Sequence, residues 1–150
     1  TLHKKFNSNE LVEIPLNEES AGTLKMFAIY PDIQRVLKVG SVFFVDELNA
    51  RLHPLLVRNI LLTFLNPNIN KNHAQLVFTT HDTWQLSANL LRKDEIWFVD
   101  KDDNGISSLY SLVDFIFEKN NENKKQNNYE KDYLLGKFGA IPFLETININ

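Results

Sequence analysis

The sequence has no cysteine in its 150 residues, which excludes disulfide bonds and thiolate chemistry and fits a cytoplasmic protein. No apolar run approaches the ~20 residues that a membrane-spanning helix needs, and the first ten residues contain no apolar signal core. Position 1 is a threonine rather than an initiator methionine. We therefore expect a cytoplasmic segment of a longer protein, without contact to a membrane.

The composition also lacks a strong excess of either charge. The formal net charge is -3, which gives no general attraction to nucleic acid or to an anionic membrane. A nucleic-acid partner is left open, since net charge does not describe local patches, but the charge does not support one. Because 43% of the residues are hydrophobic, the chain can bury the core of one domain.

Short apolar runs, rich in β-branched and aromatic residues, alternate with helical spacing of apolar residues. This rhythm is typical of an α/β fold with a mainly parallel sheet and flanking helices, and we expect the first two strands to be buried on both faces. Ser20 is the expected N-cap of the first helix, and Pro31 is expected to kink or break it. The predicted strands are residues 42–45, 75–80 and 95–99, and the predicted later helices are 54–65, 83–91 and 129–135.

The remaining segments are assigned by composition. Residues 1–18 are a lead-in segment, and residues 19–117 run from the first helix to a C-terminal β-hairpin, whose turn is predicted at Asp103, Asn104 and Gly105. Residues 118–128 are nearly all Asn, Lys and Glu, which predicts a mobile surface loop. Residues 129–150 are expected to form a C-terminal helix and tail.

The strongest chemical signal is the pair Asp46 and Glu47, which directly follows the apolar run at residues 42–45. Open α/β sheets bind ligands at the carboxyl ends of their strands. Adjacent carboxylates there can divide two tasks, one holding a hydrated Mg²⁺ and the other orienting and deprotonating a water molecule. The alternative interpretation is a strand that ends in two solvated acids.

His81 gives a second signal, because it follows the next apolar strand within the run T-T-H-D at residues 79–82. An imidazole at this position can donate a hydrogen bond to a phosphate oxygen. Taken alone, it would be an ordinary surface or helix-capping histidine. Its place one βαβ unit after Glu47 predicts that both strand ends lie at the same edge of the sheet.

The third signal is the run E-S-A-G-T at residues 19–23, in which Ser20, Gly22 and Thr23 open a helix. The unpaired amides of a helix N-terminus can bind an anion, and a glycine permits close approach. An ordinary capped helix is the alternative.

In this order the three motifs resemble ABC-type P-loop ATPases, in the AAA-labelled branch found in bacterial defence and abortive-infection systems. The D-loop of that branch is also recognisable at residues 48–54, although Asn49 and Arg51 depart from its usual D-x-S-L-H-P pattern. The resemblance covers residues 19–144 and includes a variant signature motif at 20–23, Walker B at 42–47 and the switch-histidine loop at 79–82.

The resemblance implies the C-terminal lobe of a P-loop NTPase that uses ATP and Mg²⁺. In that family, Asp46 would hold Mg²⁺ through water, Glu47 would be the general base, and His81 would contact the γ-phosphate. Two copies of the longer protein would pair head to tail as a homodimer, and the dimer would drive an effector protein or domain. Ser20, Gly22 and Thr23 would then contact the ATP held by the other copy.

A Walker A loop is missing from the sequence. Its form is G-x-x-x-x-G-K-[ST], and its backbone amides cradle the phosphates. The chain contains a Gly-Lys pair only at Gly136 and Lys137, where Phe138 replaces the hydroxyl residue. In the resembling family Walker A precedes the signature, so we expect it upstream of Thr1. ATPase activity is accordingly expected of the longer protein and not of these residues alone.

Two other classes of function are left open. A metal-dependent phosphohydrolase or nuclease would use Asp46, Glu47, His81 and Asp82 as ligands and would need no Walker A loop. A non-catalytic dimerisation module would need none of these side chains.

Overall fold

A computed structural model describes residues 1–86, 90–115 and 129–141, and the chain divides into two units, Thr1–Asp82 and Thr83–Asn150. The first unit contains strands β1 (Leu2–Lys4) and β2 (Leu11–Glu13), helix α1 (Ala21–Val39), strand β3 (Val42–Val45), helix α2 (Pro54–Leu65) and strand β4 (Gln75–Phe78). The second unit contains strands β5 (Trp97–Lys101) and β6 (Ser107–Ser111) and helix α3 (Tyr129–Leu134).

Strands β3 and β4 are the only parallel pair among the described residues. Their register joins Val42 to Gln75 and Val45 to Phe78. The other two pairs, β1 with β2 and β5 with β6, are antiparallel, and each pair forms a separate two-stranded sheet. The expectation of a mainly parallel sheet is therefore wrong for this part of the chain, which has small, mixed sheets.

Strand β5 pairs with β6 because a short turn closes that hairpin locally. The Asp102 carboxylate accepts hydrogen bonds from the backbone amides of Asn104 (3.0 Å) and Ile106 (2.7 Å). A short loop costs less closure entropy than a crossover connection. The predicted C-terminal hairpin is thus present, although β5 begins at Trp97 rather than at residue 95.

One face of the β3–β4 pair is open to solvent. Phe44 and Val77 lie opposite each other in the register, and their exposed fractions are 73% and 48%. Phe43 and Val45, on the other face, are half-buried. The expectation of burial on both faces is therefore wrong for this pair of strands.

Helix α2 supplies four of the nine buried apolar side chains of the first unit, more than any other element. Its buried residues are spaced by three or four positions, which aligns them on one face of a helix. α2 contacts β4, and α1 contacts β3. The buried apolar side chains of this unit are Ile33, Val36, Leu48, Leu52, Val57, Ile60, Leu61, Phe64 and Ala74.

Helix α1 runs without interruption through Pro31, so the predicted break does not occur. A proline removes the hydrogen bond that its amide would donate to the carbonyl four residues earlier, which is that of Phe27. Both residues are exposed, and water can satisfy the freed carbonyl on that side of the helix.

The C-terminus of α1 is fixed by Gly40 and Asn72. Gly40 has a left-handed φ of 77°, and its amide donates to the carbonyl of Val36 at 2.8 Å. The side-chain amide of Asn72 donates to the carbonyls of Leu37 and Lys38, each at 3.0 Å. These bonds satisfy carbonyls that a helix end otherwise leaves unpaired.

The second unit has an aromatic core. The ring of Phe98 lies 5.7 Å from that of Tyr133 and 5.4 Å from that of Phe138, in stacked arrangements. The hydroxyl of Tyr110 donates to the carbonyl of Phe138 at 2.9 Å. These contacts join α3 and the segment after it to the hairpin.

Other predicted elements of this unit have mixed outcomes. The helix predicted at 129–135 corresponds to α3. The helix predicted at 83–91 is only a 3-10 turn at Thr83–Gln85, and residues 87–89 lie outside the described residues. The predicted mobile loop at 118–128 and the tail after residue 141 also lie outside them. Within the described ranges, no helix combines the length and apolar character needed to cross a bilayer.

The close approach at Gly40 predicts a large stability loss for Gly40→Ala. A Cβ at this position would lie 2.2 Å from the Asn72 carbonyl oxygen, and the left-handed φ adds a penalty for any Cβ. We expect the free energy of unfolding to fall by about 3 kcal/mol or more. Urea unfolding followed by far-ultraviolet circular dichroism measures it, because α1 and α2 contain most of the described helix.

Gly105→Ala is the matched control. Gly105 also has a left-handed φ, of 80°, but its added Cβ would meet only the flexible end of Lys101, at 3.6 Å. The expected loss is about 1–2 kcal/mol, measured by tryptophan fluorescence of the second unit. Equal losses at the two glycines would contradict the packing of α1 against Asn72.

Candidate functional site

The carboxyl ends of β3 and β4 lie side by side. Two backbone hydrogen bonds extend the pairing beyond the strands: the amide of Thr79 donates to the carbonyl of Val45 (3.1 Å), and the amide of Leu48 donates to the carbonyl of Thr79 (3.0 Å). Asp46 and Glu47 lie within this extension, directly after β3. His81 follows it, after β4. The parallel register therefore brings the predicted acids and the predicted histidine to one sheet edge.

Glu47 and His81 are in contact through their side chains. His81 Nε2 lies 3.4 Å from Glu47 Oε1, and the exposed fractions of the two side chains are 83% and 56%. An ion pair this exposed contributes only about 0–1 kcal/mol to stability. Its significance is therefore positional, because it places a carboxylate and an imidazole side by side at a solvent-accessible edge of the sheet.

The hydroxyl of Thr79 joins the two acids. It donates to Asp46 Oδ1 at 2.5 Å and accepts from the backbone amide of Glu47 at 2.8 Å. A threonine hydroxyl has one proton and two lone pairs, so both bonds can be made at once. The orientation of the Asp46 carboxylate and the backbone of Glu47 is thus tied to strand β4.

Glu47 has a left-handed backbone with φ of 47°, which costs about 1–2 kcal/mol in a residue other than glycine. Its carbonyl accepts from the amide of Ala50 at 2.9 Å and from Nζ of Lys25, on α1, at 3.4 Å. These bonds form the turn that directs the chain from β3 towards α2.

The predicted anion site at the start of α1 is a capped helix N-terminus. Ser20 Oγ accepts from the amide of Thr23 at 3.1 Å and lies 2.9 Å from its hydroxyl. Gly22 lies against the turn after β3, because an added Cβ would be 2.9 Å from the carbonyl oxygen of Arg51. Ser20, Gly22 and Thr23 line an open concavity together with Arg51 and His53.

Glu19, directly before this helix start, has a carboxylate that is only 6% exposed. It accepts from the hydroxyl of Thr1 and lies 2.6 Å from His3 Nε2. Both hydrogen bonds lower the pKa of Glu19, and the bond from Thr1 has a larger effect than the bond with His3. They fasten the β1–β2 hairpin to the residue that precedes the cap.

The structure therefore brings Glu47 and His81 into contact, and the neighbouring Asp46 is hydrogen-bonded to Thr79. Ser20, Gly22 and Thr23 form a second group, and the contacts of Gly22 with Arg51 and of Lys25 with Glu47 connect the two. Within the described ranges, no three His, Cys, Asp or Glu side chains form a group that could hold a metal ion.

Two contributors to the site were not singled out from the sequence, Thr79 and Lys25. A signal existed for Thr79, because Asp46 and Thr79 are each the first polar residue after an apolar run. Equal offsets on parallel neighbours place such residues side by side. Lys25 had no signal, since a lysine on a helix is most often simply solvated.

Comparison with known proteins gives one family match. Residues 4–83 match the family model described as "AAA domain, putative AbiEii toxin, Type IV TA system", which is more than half of the 150 residues. No curated protein and no solved structure matches the chain. The matched span contains the start of α1, the two acids after β3 and His81.

The contact between Gly22 and Arg51 predicts that Gly22→Ala is destabilising. Helix propensity alone would favour alanine by about 1 kcal/mol. The Cβ would press on a backbone oxygen that has little freedom to move, so we expect a net loss of about 1–2 kcal/mol. Urea unfolding by circular dichroism measures it. Ala21→Gly, at the adjacent position, is the control. If helix propensity alone mattered, Gly22→Ala would stabilise the protein and Ala21→Gly would destabilise it. If the close approach to the Arg51 carbonyl dominates, both variants are destabilised.

The environment of Glu19 predicts a pH-dependent stability. Because its pKa is lower in the folded than in the unfolded chain, its stabilisation is complete above the ordinary pKa of a glutamic acid. It is lost as the pH falls through the lower, folded value. The stability difference between the wild type and Glu19→Gln should therefore shrink as the pH falls. Urea unfolding at several pH values checks this, with exposed Glu18→Gln as control, and a difference independent of pH would contradict it.

Proposed function

The chain belongs to this AAA-domain family of P-loop ATPase-like proteins, and we propose that it forms the C-terminal part of an ABC-type ATP-hydrolysing domain. One observation carries the proposal: Glu47 and His81 are in contact, 3.4 Å apart, beside Asp46 at the carboxyl ends of two parallel strands. Open α/β sheets bind their ligands at this position. The proposed substrate is ATP, and the proposed cofactor is Mg²⁺.

The residues present fit a magnesium ion that is shared with a nucleotide. Asp46 is an exposed carboxylate, a hard oxygen ligand of the kind that Mg²⁺ prefers. Magnesium in nucleotide sites is commonly held by one or two carboxylates, with phosphates and water completing the coordination. Asp46 would hold the ion in this way, and the ion would neutralise charge on the phosphates.

Glu47 is the proposed general base. Its carboxylate would orient a water molecule and take its proton as the oxygen attacks the γ-phosphorus. The bond between that phosphorus and the bridging β–γ oxygen breaks, and ADP and phosphate are the products. His81 would donate a hydrogen bond to a γ-phosphate oxygen. Positioning and charge stabilisation of this kind supply most of the catalysis in phosphoryl transfer.

The phosphate-binding loop of the proposed site lies outside these 150 residues, because their sequence contains no Walker A motif. Ser20, Gly22 and Thr23 are proposed to contact ATP bound to a second copy, in a head-to-tail homodimer. The positive end of the helix dipole at the α1 N-terminus favours an anion there. An effector protein or domain, a cytoplasmic location and a role in bacterial defence are further parts of the proposal.

The metal-dependent phosphohydrolase is less well supported. It would require Asp46, Glu47, His81 and Asp82 to converge on metal ions, and the described residues contain no group of three such ligands. Phosphodiester cleavage by the 150-residue chain with Mn²⁺ alone would favour this alternative over the ATPase.

The proposal predicts that Glu47→Gln separates ATP binding from ATP hydrolysis in the complete, P-loop-containing protein. The amide has nearly the shape of the carboxylate but cannot accept the proton of water. We expect the hydrolysis rate to fall about 10²- to 10⁴-fold, with ATP affinity retained. Phosphate release under steady-state conditions measures the rate, and equilibrium binding of labelled ATP measures the affinity.

Glu13→Gln is the control for a charge change outside the site, since Glu13 is an exposed residue of β2. It should hydrolyse ATP at the wild-type rate. Undiminished hydrolysis by Glu47→Gln would show that Glu47 is not the base. Absence of ATP binding in the complete protein would point to a non-catalytic dimerisation module.

A further inference from the structure

Thr79 lies between the two acids, and the proposed reaction assigns it no role. Its hydroxyl donates to Asp46 Oδ1 at 2.5 Å and accepts from the Glu47 amide at 2.8 Å. The neighbouring Thr80 makes no comparable link, because its hydroxyl accepts from the amide of Asp82. The two threonines of the T-T-H-D run therefore have different contacts.

The backbone of Thr79 is fixed on both sides. Its amide donates to the carbonyl of Val45, and its carbonyl accepts from the amide of Leu48. The hydroxyl consequently reaches Asp46 and Glu47 from a residue that the β3–β4 ladder holds in place. An anchored hydroxyl loses little additional freedom on bonding, so it can orient its partners at a low entropic cost.

Both partners need such an anchor. Glu47 has the left-handed φ of 47°, which is intrinsically unfavourable, and a hydrogen bond to its amide favours this turn over relaxed alternatives. The Asp46 carboxylate is exposed, so without a bonded oxygen it would be free to rotate. Thr79 restrains the two acids at the same time, through one hydroxyl.

We infer that Thr79 is a positioning residue of this site, whose hydroxyl sets the orientation of the Asp46 carboxylate and of the Glu47 turn. This inference rests on the proposed function, because the oriented groups are the proposed magnesium ligand and general base. Thr79 itself touches neither the water nor the phosphate in this account. Its removal should therefore slow the chemical step much more than it weakens ATP binding.

The test compares Thr79→Val, which keeps the side-chain shape and removes the hydroxyl, with Thr79→Ser, which keeps the hydroxyl. In the complete, P-loop-containing protein, we expect Thr79→Val to lower kcat by about 10- to 100-fold. The KM for ATP should change by less than about threefold, and Thr79→Ser should regain kcat to within about threefold of the wild type. Thr79→Ala, with a smaller side chain, repeats the test if valine perturbs folding.

Thr63→Val is the matched control. The Thr63 hydroxyl donates to the carbonyl of Asn59 within α2, at 2.8 Å, and has no contact with the acids. This variant makes the same chemical change in the same unit and should retain wild-type kcat.

A second measurement does not depend on ATP. Hydrogen exchange of the Glu47 amide, followed by NMR in the complete protein, should be about tenfold faster in Thr79→Val than in the wild type or Thr79→Ser. Unchanged exchange in Thr79→Val would show that the hydroxyl does not hold this amide and would overturn the inference.

The inference and the proposed function fail in different ways. If Glu47→Gln abolishes hydrolysis and Thr79→Val has wild-type kcat, the inference is wrong and the proposed function stands. Loss of kcat in Thr79→Val with no recovery in Thr79→Ser would also overturn it, because the hydroxyl would not be the cause. Wild-type hydrolysis by Glu47→Gln would remove the proposed function, and with it the role assigned to Thr79.

Discussion

The parallel register of β3 and β4 is the constraint on which the candidate site depends. Val45 lies beside Phe78, so the residues that follow the two strands meet at one edge. A slip of one residue would reverse the face of every side chain on the slipped strand. Beyond the strands, the bonds from Thr79 to Val45 and from Leu48 to Thr79 continue the same ladder. The apolar pairing that stabilises the unit thus also determines which polar groups become neighbours.

This constraint explains how an unfavourable local arrangement persists. Adjacent carboxylates at Asp46 and Glu47 repel each other, and the left-handed backbone of Glu47 has its own cost. Two hydrogen bonds from outside the turn offset these terms: the Thr79 hydroxyl donates to Asp46, and the Lys25 ammonium donates to the Glu47 carbonyl. Thr79 directly follows β4 and Lys25 lies on α1, so contacts with other elements compensate the strain alongside the bonds within the turn.

Local signals in the sequence predicted local features well. The Ser20 cap, the start of α2 at Pro54 and the hairpin turn follow from short-range chemistry, and all are found. The juxtaposition of the strand ends is long-range and is found as well. Two predictions that failed were non-local, namely a mainly parallel sheet and burial of Phe44. The sequence also predicted a kink or a break at Pro31 from local chemistry, and α1 continues through that residue without a break. An apolar run indicates that a strand can be buried, but not which neighbour covers it. Likewise Thr79 was identified only within a motif, because its role depends on register with a strand more than thirty residues away.

The solvent exposure of Glu47 and His81 limits the strength of their electrostatic interactions. With the Glu47 and His81 side chains 56% and 83% exposed, their electrostatic interactions act in a dielectric close to that of water and are weak. A general base and a charge-stabilising imidazole gain strength when water is excluded around them. The chain presents these groups in order but does not enclose them within its described residues. Exclusion of water around Glu47 and His81 would therefore strengthen their interactions with a bound ligand at the proposed site.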